Sequence, residues 1–294
     1  MSIIAFTGVT RSYGASEALR GVDLVIDRPQ VVGLLGRNGA GKSTLLRMIP
    51  PLIHATRGSV RVFDNDPWKY QETNKLRLGY LSDSDVHPLG LRIEDLFQLC
   101  SEVYPTWDQA LVDRFAGRFG LTKQRVLALL SKGQQRQVGL LCAVGHRPEL
   151  LVLDEPAGGL DPVARRDFLS VVIEVLADSG GTVLFASHLF GDVERLADRI
   201  VILHQGRVLV DEPSERLQAD ACRIEMPWSE TTSERLSAWK ACARVERTGE
   251  RLVGTLRVAP ADASAGVAAE IGSAPTEVQA IGLEDLFIAL TGAP

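Results

Sequence analysis

Val31-Val32-Gly33-Leu34-Leu35-Gly36-Arg37-Asn38-Gly39-Ala40-Gly41-Lys42-Ser43-Thr44-Leu45-Leu46 joins an uncharged run, a glycine-rich turn and the start of a helical pattern. Residues 36–43 fit GxxxxGK[ST], and their place after the strand VVGLL and before the helical STLLRMI (43–49) is the context in which that pattern reads as a phosphate-binding loop. Gly36, Gly39 and Gly41 leave backbone N–H groups free to wrap phosphate oxygens, with Asn38 between them and Thr44 just beyond. The helix N-terminus adds partial positive charge, Lys42 is long enough to reach β- and γ-phosphates, and the Ser43 hydroxyl is placed to ligate Mg²⁺. The plainer reading, a glycine-rich turn that caps a helix, leaves the flanking strand unexplained.

Further along, LLVLDEP (150–156) puts two carboxylates at the end of an apolar strand. At the C-terminal end of a parallel strand such groups face the ligand crevice of an open α/β sheet. There Asp154 would hold Mg²⁺ and Glu155 would polarise the water that attacks a γ-phosphate, although DEP after a strand also serves as a cap and turn. VVGLL, LLVL (150–153) and TVLFA (182–186) are uncharged strands of the kind buried between helices on both faces of a parallel sheet. IIAFTGV (3–9), LRGVDLVI (19–26) and SVRVF (59–63) alternate, which predicts an antiparallel sheet beside that core. Residues 92–146 read as successive amphipathic helices, IEDLFQLCSEVY, WDQALVDRFAGRF, KQRVLALL and QRQVGLLCAVG, inserted into the core. The expected fold is therefore α/β, a P-loop core with an antiparallel β part and a helical insertion at 85–146. IVIL and RVLV around HQG predict a hairpin that closes a first domain at 1–212. A small α+β domain at 213–294 follows, with strands at 222–226 and 252–258, and a last helix at 283–290.

Composition narrows the function class. The 294 residues are 45% hydrophobic and 23% charged, with a net charge of −5. That balance gives no general attraction to nucleic acid, and Arg165-Arg166 is the sole adjacent basic pair. The longest stretch free of Asp, Glu, Lys and Arg, Ser179–Gly191, has 13 residues, short of the roughly 20 needed to span a bilayer. MSIIAFTGVTRSYG shows no secretory signal, so cytoplasmic residence is expected. Cys100, Cys142, Cys222 and Cys242 match neither a zinc pattern nor CxxC, and read as reduced, structural thiols.

Taken together these motifs make residues 1–212 resemble the ATPase subunits of ATP-binding cassette (ABC) transporters. LLSKGQQRQ (129–137) resembles their signature, with Ser131, Lys132, Gly133 and Gln134 in the LSGGQ positions and Lys132 as the departure. Gly159-Leu160-Asp161 resembles the D-loop, and Ser187-His188 the switch histidine, which the family directs at the γ-phosphate. Tyr13 takes the place of the aromatic that stacks on adenine, though an aromatic beside Gly14 also simply packs a turn. After LGYL (78–81) the family carries a glutamine. Here Asp83, within Ser82-Asp83-Ser84-Asp85, aligns with it, either as a Mg²⁺ ligand or as a solvated, helix-capping acid.

The resemblance implies ATP and Mg²⁺ as ligands and a head-to-tail dimer in which each signature faces the partner's phosphate loop. With one copy of each motif, a homodimer is the simplest assembly. YPTWDQALVDRFAGRFGL (104–121) and IGLEDLFIALTG (281–292) look like features of the single-cassette exporter group. That group works with a separate membrane permease, which would hold this chain peripherally on the cytoplasmic face. The resemblance also covers soluble ABC ATPases that remodel nucleic acid or ribosomes, but no sustained heptads or basic surface favour that reading. A small-molecule P-loop kinase would leave the signature unexplained.

Overall fold

The computed structural model describes residues 2–83 and 88–292. The chain divides into two compact units, Met1–Val210 and Asp211–Pro294. In the first, the elements run β1 (Ile4–Tyr13), β2 (Ser16–Ile26), β3 (Val31–Leu35), α1 (Lys42–Leu46), β4 (Arg57–Val62), α2 (Gln71–Lys75) and β5 (Leu78–Leu81). The helical insertion follows as α3 (Ile93–Val103), α4 (Gln109–Arg118) and α5 (Lys132–Val144). The chain then returns through β6 (Leu150–Asp154), α6 (Pro162–Ser179), β7 (Thr182–Ala186), α7 (Phe190–Leu196), β8 (Arg199–His204) and β9 (Arg207–Pro213), which runs across the division.

Among the described residues, six strands form one sheet in the order β5-β6-β7-β3-β8-β9, with β5 to β8 and β3 mutually parallel. β6 and β7 are buried at every position, which is why their sequences are continuous apolar runs rather than alternating ones. β8 turns into β9 through Gln205 and Gly206, both in the left-handed region (φ 48° and 78°), as a two-residue hairpin requires. A second, antiparallel sheet runs β2-β1-β4. Its inward residues Ile4, Phe6 and Leu24 share one core with Leu34, Val152 and Leu184 of the parallel sheet. This is the α/β core with an antiparallel part that the alternation in 3–9, 19–26 and 59–63 predicts.

Register explains how distant segments converge. Leu34 pairs with Ala186, and Ala186 with Asp154, so the three strands present those residues side by side. Two residues past Leu34 the glycine loop begins, two past Ala186 lies His188, and one past Asp154 lies Glu155.

Two helical expectations are corrected. KQRVLALL is not an amphipathic helix but a single 3-10 turn at Leu127–Leu129. The amides of Leu127 and Ala128 are taken by the carbonyls of Leu91 and Leu89, and Val126 bridges Arg92, so the segment pairs with the chain entering α3 instead of coiling on itself. STLLRMI stays α-helical only to Leu46; Met48 and Ile49 tighten onto Leu45 and Leu46 as the chain approaches Pro50-Pro51, which cannot continue a helix.

The second unit continues with α8 (Ser214–Ala219), β10 (Cys222–Pro227), α9 (Glu230–Ala238), β11 (Cys242–Thr248), β12 (Arg251–Leu256), α10 (Pro260–Ile271), β13 (Glu277–Ala280) and α11 (Leu283–Thr291). Its four strands lie in the antiparallel order β11-β12-β10-β13, the split β-α-β arrangement of a βαββαβ unit. The core is Ile224, Met226, Leu252 and Leu256 against Leu236, Val267 and Ile271 of the two helices. Pro260 starts α10, and Gly272 in the left-handed region ends it.

Candidate functional site

The loop after β3 is shaped by its glycines. Gly39 and Gly41 adopt φ 81° and 106°, and a Cβ on Gly36 would stand 2.5 Å from the Leu203 carbonyl oxygen. Any side chain at these positions would strain the turn or collide with β8. Lys42 follows directly. Its side chain is 6% exposed, its Nζ donates to the Gly36 carbonyl at 2.7 Å, and it lies 3.5 Å from Glu155 Oε1. The ammonium thus spans its own loop and the carboxylate at the end of β6. Asn38 is exposed on the loop, and Thr44 is half-buried in α1.

Ser43 Oγ donates to Asp154 Oδ1 at 3.0 Å. Asp154 is fully buried, and its Oδ2 has no hydrogen-bond partner among the described residues. Burial pushes this carboxyl above the usual carboxylate range; the Ser43 hydroxyl pulls it back, and the charges of Asp83 and Glu155 push it further up. A buried, orphaned carboxylate oxygen beside a hydroxyl fits a hard divalent cation. Among the described residues no group of three or more His, Cys, Asp or Glu gathers as a metal cluster. The donor set is therefore one carboxylate and one hydroxyl, the sparse kind that Mg²⁺ takes when phosphates and water complete its shell.

Glu155 sits at φ 49°, a left-handed conformation rare for its type, and its amide donates to the Ala186 carbonyl at 3.0 Å. Its Oε2 accepts from the backbone N–H of His188 at 3.2 Å and lies 2.7 Å from His188 Nδ1. A carboxylate only accepts, so Nδ1 carries the proton of this contact. Lys42, Ser43, Asp154, Glu155 and His188, at or just beyond the ends of three strands, thus form one cluster.

Other expected residues stand outside it. Ser131 and Gln134 cap α5 reciprocally, Ser131 N to Gln134 Oε1 at 3.1 Å and Gln134 N to Ser131 Oγ at 3.2 Å. Lys132 is exposed on the first turn, and Gly133 faces Leu160, whose Cδ2 would lie 3.1 Å from a Cβ there. Among the described residues, no hydrogen bond or ion pair joins 131–134 to the phosphate loop cluster. Asp161 caps α6 through the amides of Val163 and Ala164. Tyr13 is about half exposed at the end of β1, with the Arg11 guanidinium 4.5 Å above one face of its ring. Asp83 is exposed, 3.8 Å from the Arg136 guanidinium, and does not cap α3, whose first turn is closed by Asp95 instead. Ser84 and Asp85, with residues 86 and 87 of the 82–90 loop, lie outside the described residues.

Arg136 is the residue that motif reading misses. Buried in α5 at 4% exposure, it donates from Nε to Pro156 O at 2.8 Å, from Nη2 to Asp154 O at 3.0 Å and to Glu155 O, and from Nη1 to Asp83 O at 3.1 Å. One guanidinium so holds the strand end that carries both carboxylates. A buried arginine five residues into a helix gives no spacing signal of its own, and only its partners reveal it.

Known proteins are similar to this chain in sequence and in fold. The family model "ABC transporter" matches residues 19–158. The chain is 36% identical over 207 residues, 69% of this chain and 68% of the other, to the uncharacterized ABC transporter ATP-binding protein YhaQ of Bacillus subtilis (strain 168). It is 29% identical over 309 residues, 99% of this chain and 93% of the other, to the daunorubicin/doxorubicin resistance ATP-binding protein DrrA of Streptomyces peucetius. A solved ATP-binding subunit of an ABC transporter superposes with a TM-score of 0.67 at 29% identity, covering 74% of this chain and 92% of that one. The chain belongs to the ABC transporter family, among its ATP-binding subunits.

Proposed function

We propose that this subunit hydrolyses ATP at the Lys42–Ser43–Asp154–Glu155–His188 cluster, as a dimer, and so drives export through a separate membrane permease on whose cytoplasmic face it sits. The observation that carries the reading is Glu155, a carboxylate one residue past Asp154 that is aimed by a left-handed backbone and held at 2.7 Å by His188. Backbone N–H groups of the 36–43 loop and the Lys42 ammonium take the phosphates. Lys42 has three donors, so it keeps Gly36 O while turning from Glu155 toward phosphate oxygens. That turn releases Glu155 to accept a proton from water, and His188, anchored through Nδ1, offers its other nitrogen side to the γ-phosphate region. Mg²⁺, when bound by Ser43 and Asp154, neutralises phosphate charge. Tyr13 keeps one ring face for adenine.

Ser131, Lys132, Gly133, Gln134 and Asp161 serve the partner's nucleotide. They lie apart from this chain's own cluster, and a second copy would bring an equivalent set to it. No helix among the described residues is long and apolar enough to cross a membrane, in keeping with a permease on another polypeptide. Relatives named for drug resistance support export as the direction. Purification of the tagged chain from detergent-solubilised membranes tests the reading. Recovery of a multi-spanning protein together with Mg²⁺-dependent ATPase activity is expected, and recovery on ribosomes or nucleic acid alone would overturn it.

A further inference from the structure

A cleft of about 520 Å³ opens beside β5, between the helical insertion and the 50–52 segment. Two cysteines line it from different helices, Cys100 on α3 and Cys142 on α5, 42 residues apart in sequence. Both are half-buried and free, and their side chains are hydrogen-bonded to each other. Tyr104 and His146, stacked at 4.0 Å, close the same wall. We propose that Cys100 and Cys142 form a redox-active dithiol which peroxide converts reversibly into a disulfide tying α3 to α5.

The pair has the asymmetry such chemistry needs. The Cys142 S–H donates to Cys100 and holds the Cys100 thiol below its ordinary range, whereas Cys142 is pushed well up by the same contact and by burial. Cys100 is therefore the attacking sulfur and Cys142 the resolving one. His146 is held neutral by burial and supplies no cation, so the thiolate character of Cys100 rests on its cysteine neighbour. In the first step the Cys100 thiolate attacks one peroxide oxygen, the O–O bond breaks, hydroxide leaves and is protonated to water, and the sulfur becomes a sulfenic acid. In the second, Cys142 sulfur attacks that sulfenic sulfur, the S–O bond breaks, and the hydroxyl leaves as a second water with the Cys142 proton. One peroxide thus takes two electrons from two thiols. A small-molecule thiol, by exchange, returns both.

The test is treatment of the whole reduced protein with stoichiometric hydrogen peroxide, followed by thiol counting, intact mass and peptide mapping. The expected result is a fall from four free thiols to two, a mass loss of about 2 Da, a Cys100–Cys142 linked peptide and full reversal by dithiothreitol. In C142S, Cys100 should instead gain oxygen without linking, which separates a resolving role from mere proximity. A linkage through Cys222 or Cys242, or over-oxidation of Cys100 in the wild-type chain with Cys142 left free, would overturn the proposal.

Discussion

Asp154 shows how a residue can weaken the fold for the sake of the site. Burial raises its carboxyl, because its charged form is one that water would solvate better. The native state then binds the proton more readily than the unfolded chain does, and its relative stability is greatest below the unfolded pKa and lost as pH rises through the raised one. Asp154→Asn should therefore raise the melting temperature of the ligand-free protein by a few degrees while abolishing the extra stabilisation that Mg²⁺ with ATP gives; calorimetry with and without Mg²⁺ reads both. His146 works in the opposite direction. Burial lowers its imidazole to about 4, against the ordinary 6.5, so stability is full above 6.5 and falls by about 3 kcal/mol as pH drops toward 4. Urea unfolding at the two ends of that window should show this slope in the wild type and a flatter one in His146→Gln. Lys42, Ser43, Asp154 and Glu155 are legible in sequence because phosphate and metal chemistry fix their types and spacing. Arg136 and the environment of His146 are not, because what defines them is which carbonyls and rings surround them after folding.

At the scale of elements, α5 connects two tasks. Its first turn presents Ser131 to Gln134, and one turn later Arg136 grips the carbonyls of Asp154, Glu155 and Pro156. A lysine in its place keeps the charge but offers no planar fork to three carbonyls and Asp83. Arg136→Lys is expected to lower kcat by about tenfold or more, leave ATP affinity within a few-fold, and cost about 1–3 kcal/mol of stability; steady-state kinetics, nucleotide titration and denaturant melts distinguish these. Uncharged strands such as β6 and β7 read plainly from sequence, since burial on both faces leaves one composition open to them. β11, Cys-Ala-Arg-Val-Glu-Arg-Thr, and α10, rich in alanine and serine, do not. Their identity comes from pairing with β12 and from packing on the second unit's core, which local periodicity does not encode. The same holds for KQRVLALL, whose apolar spacing suits a helix but whose amides are claimed by residues 89–91.

For the whole molecule, the proposed function makes the convergence of β3, β6 and β7 one half of a nucleotide site and assigns α5 with the 159–161 turn to the site of a second copy. Assembly would then be coupled to the γ-phosphate, and hydrolysis would remove what holds the copies together. A Glu155→Gln variant should accordingly run as a dimer in gel filtration with Mg²⁺ and ATP, and as a monomer with ADP. The most direct measurement is single-turnover ATP hydrolysis by Glu155→Gln beside the wild type, with ATP binding measured on the same preparations. The expected result is affinity unchanged within a few-fold and hydrolysis slower by about 10²–10⁴. Hydrolysis at the wild-type rate would contradict the assignment of Glu155 as the group that activates water.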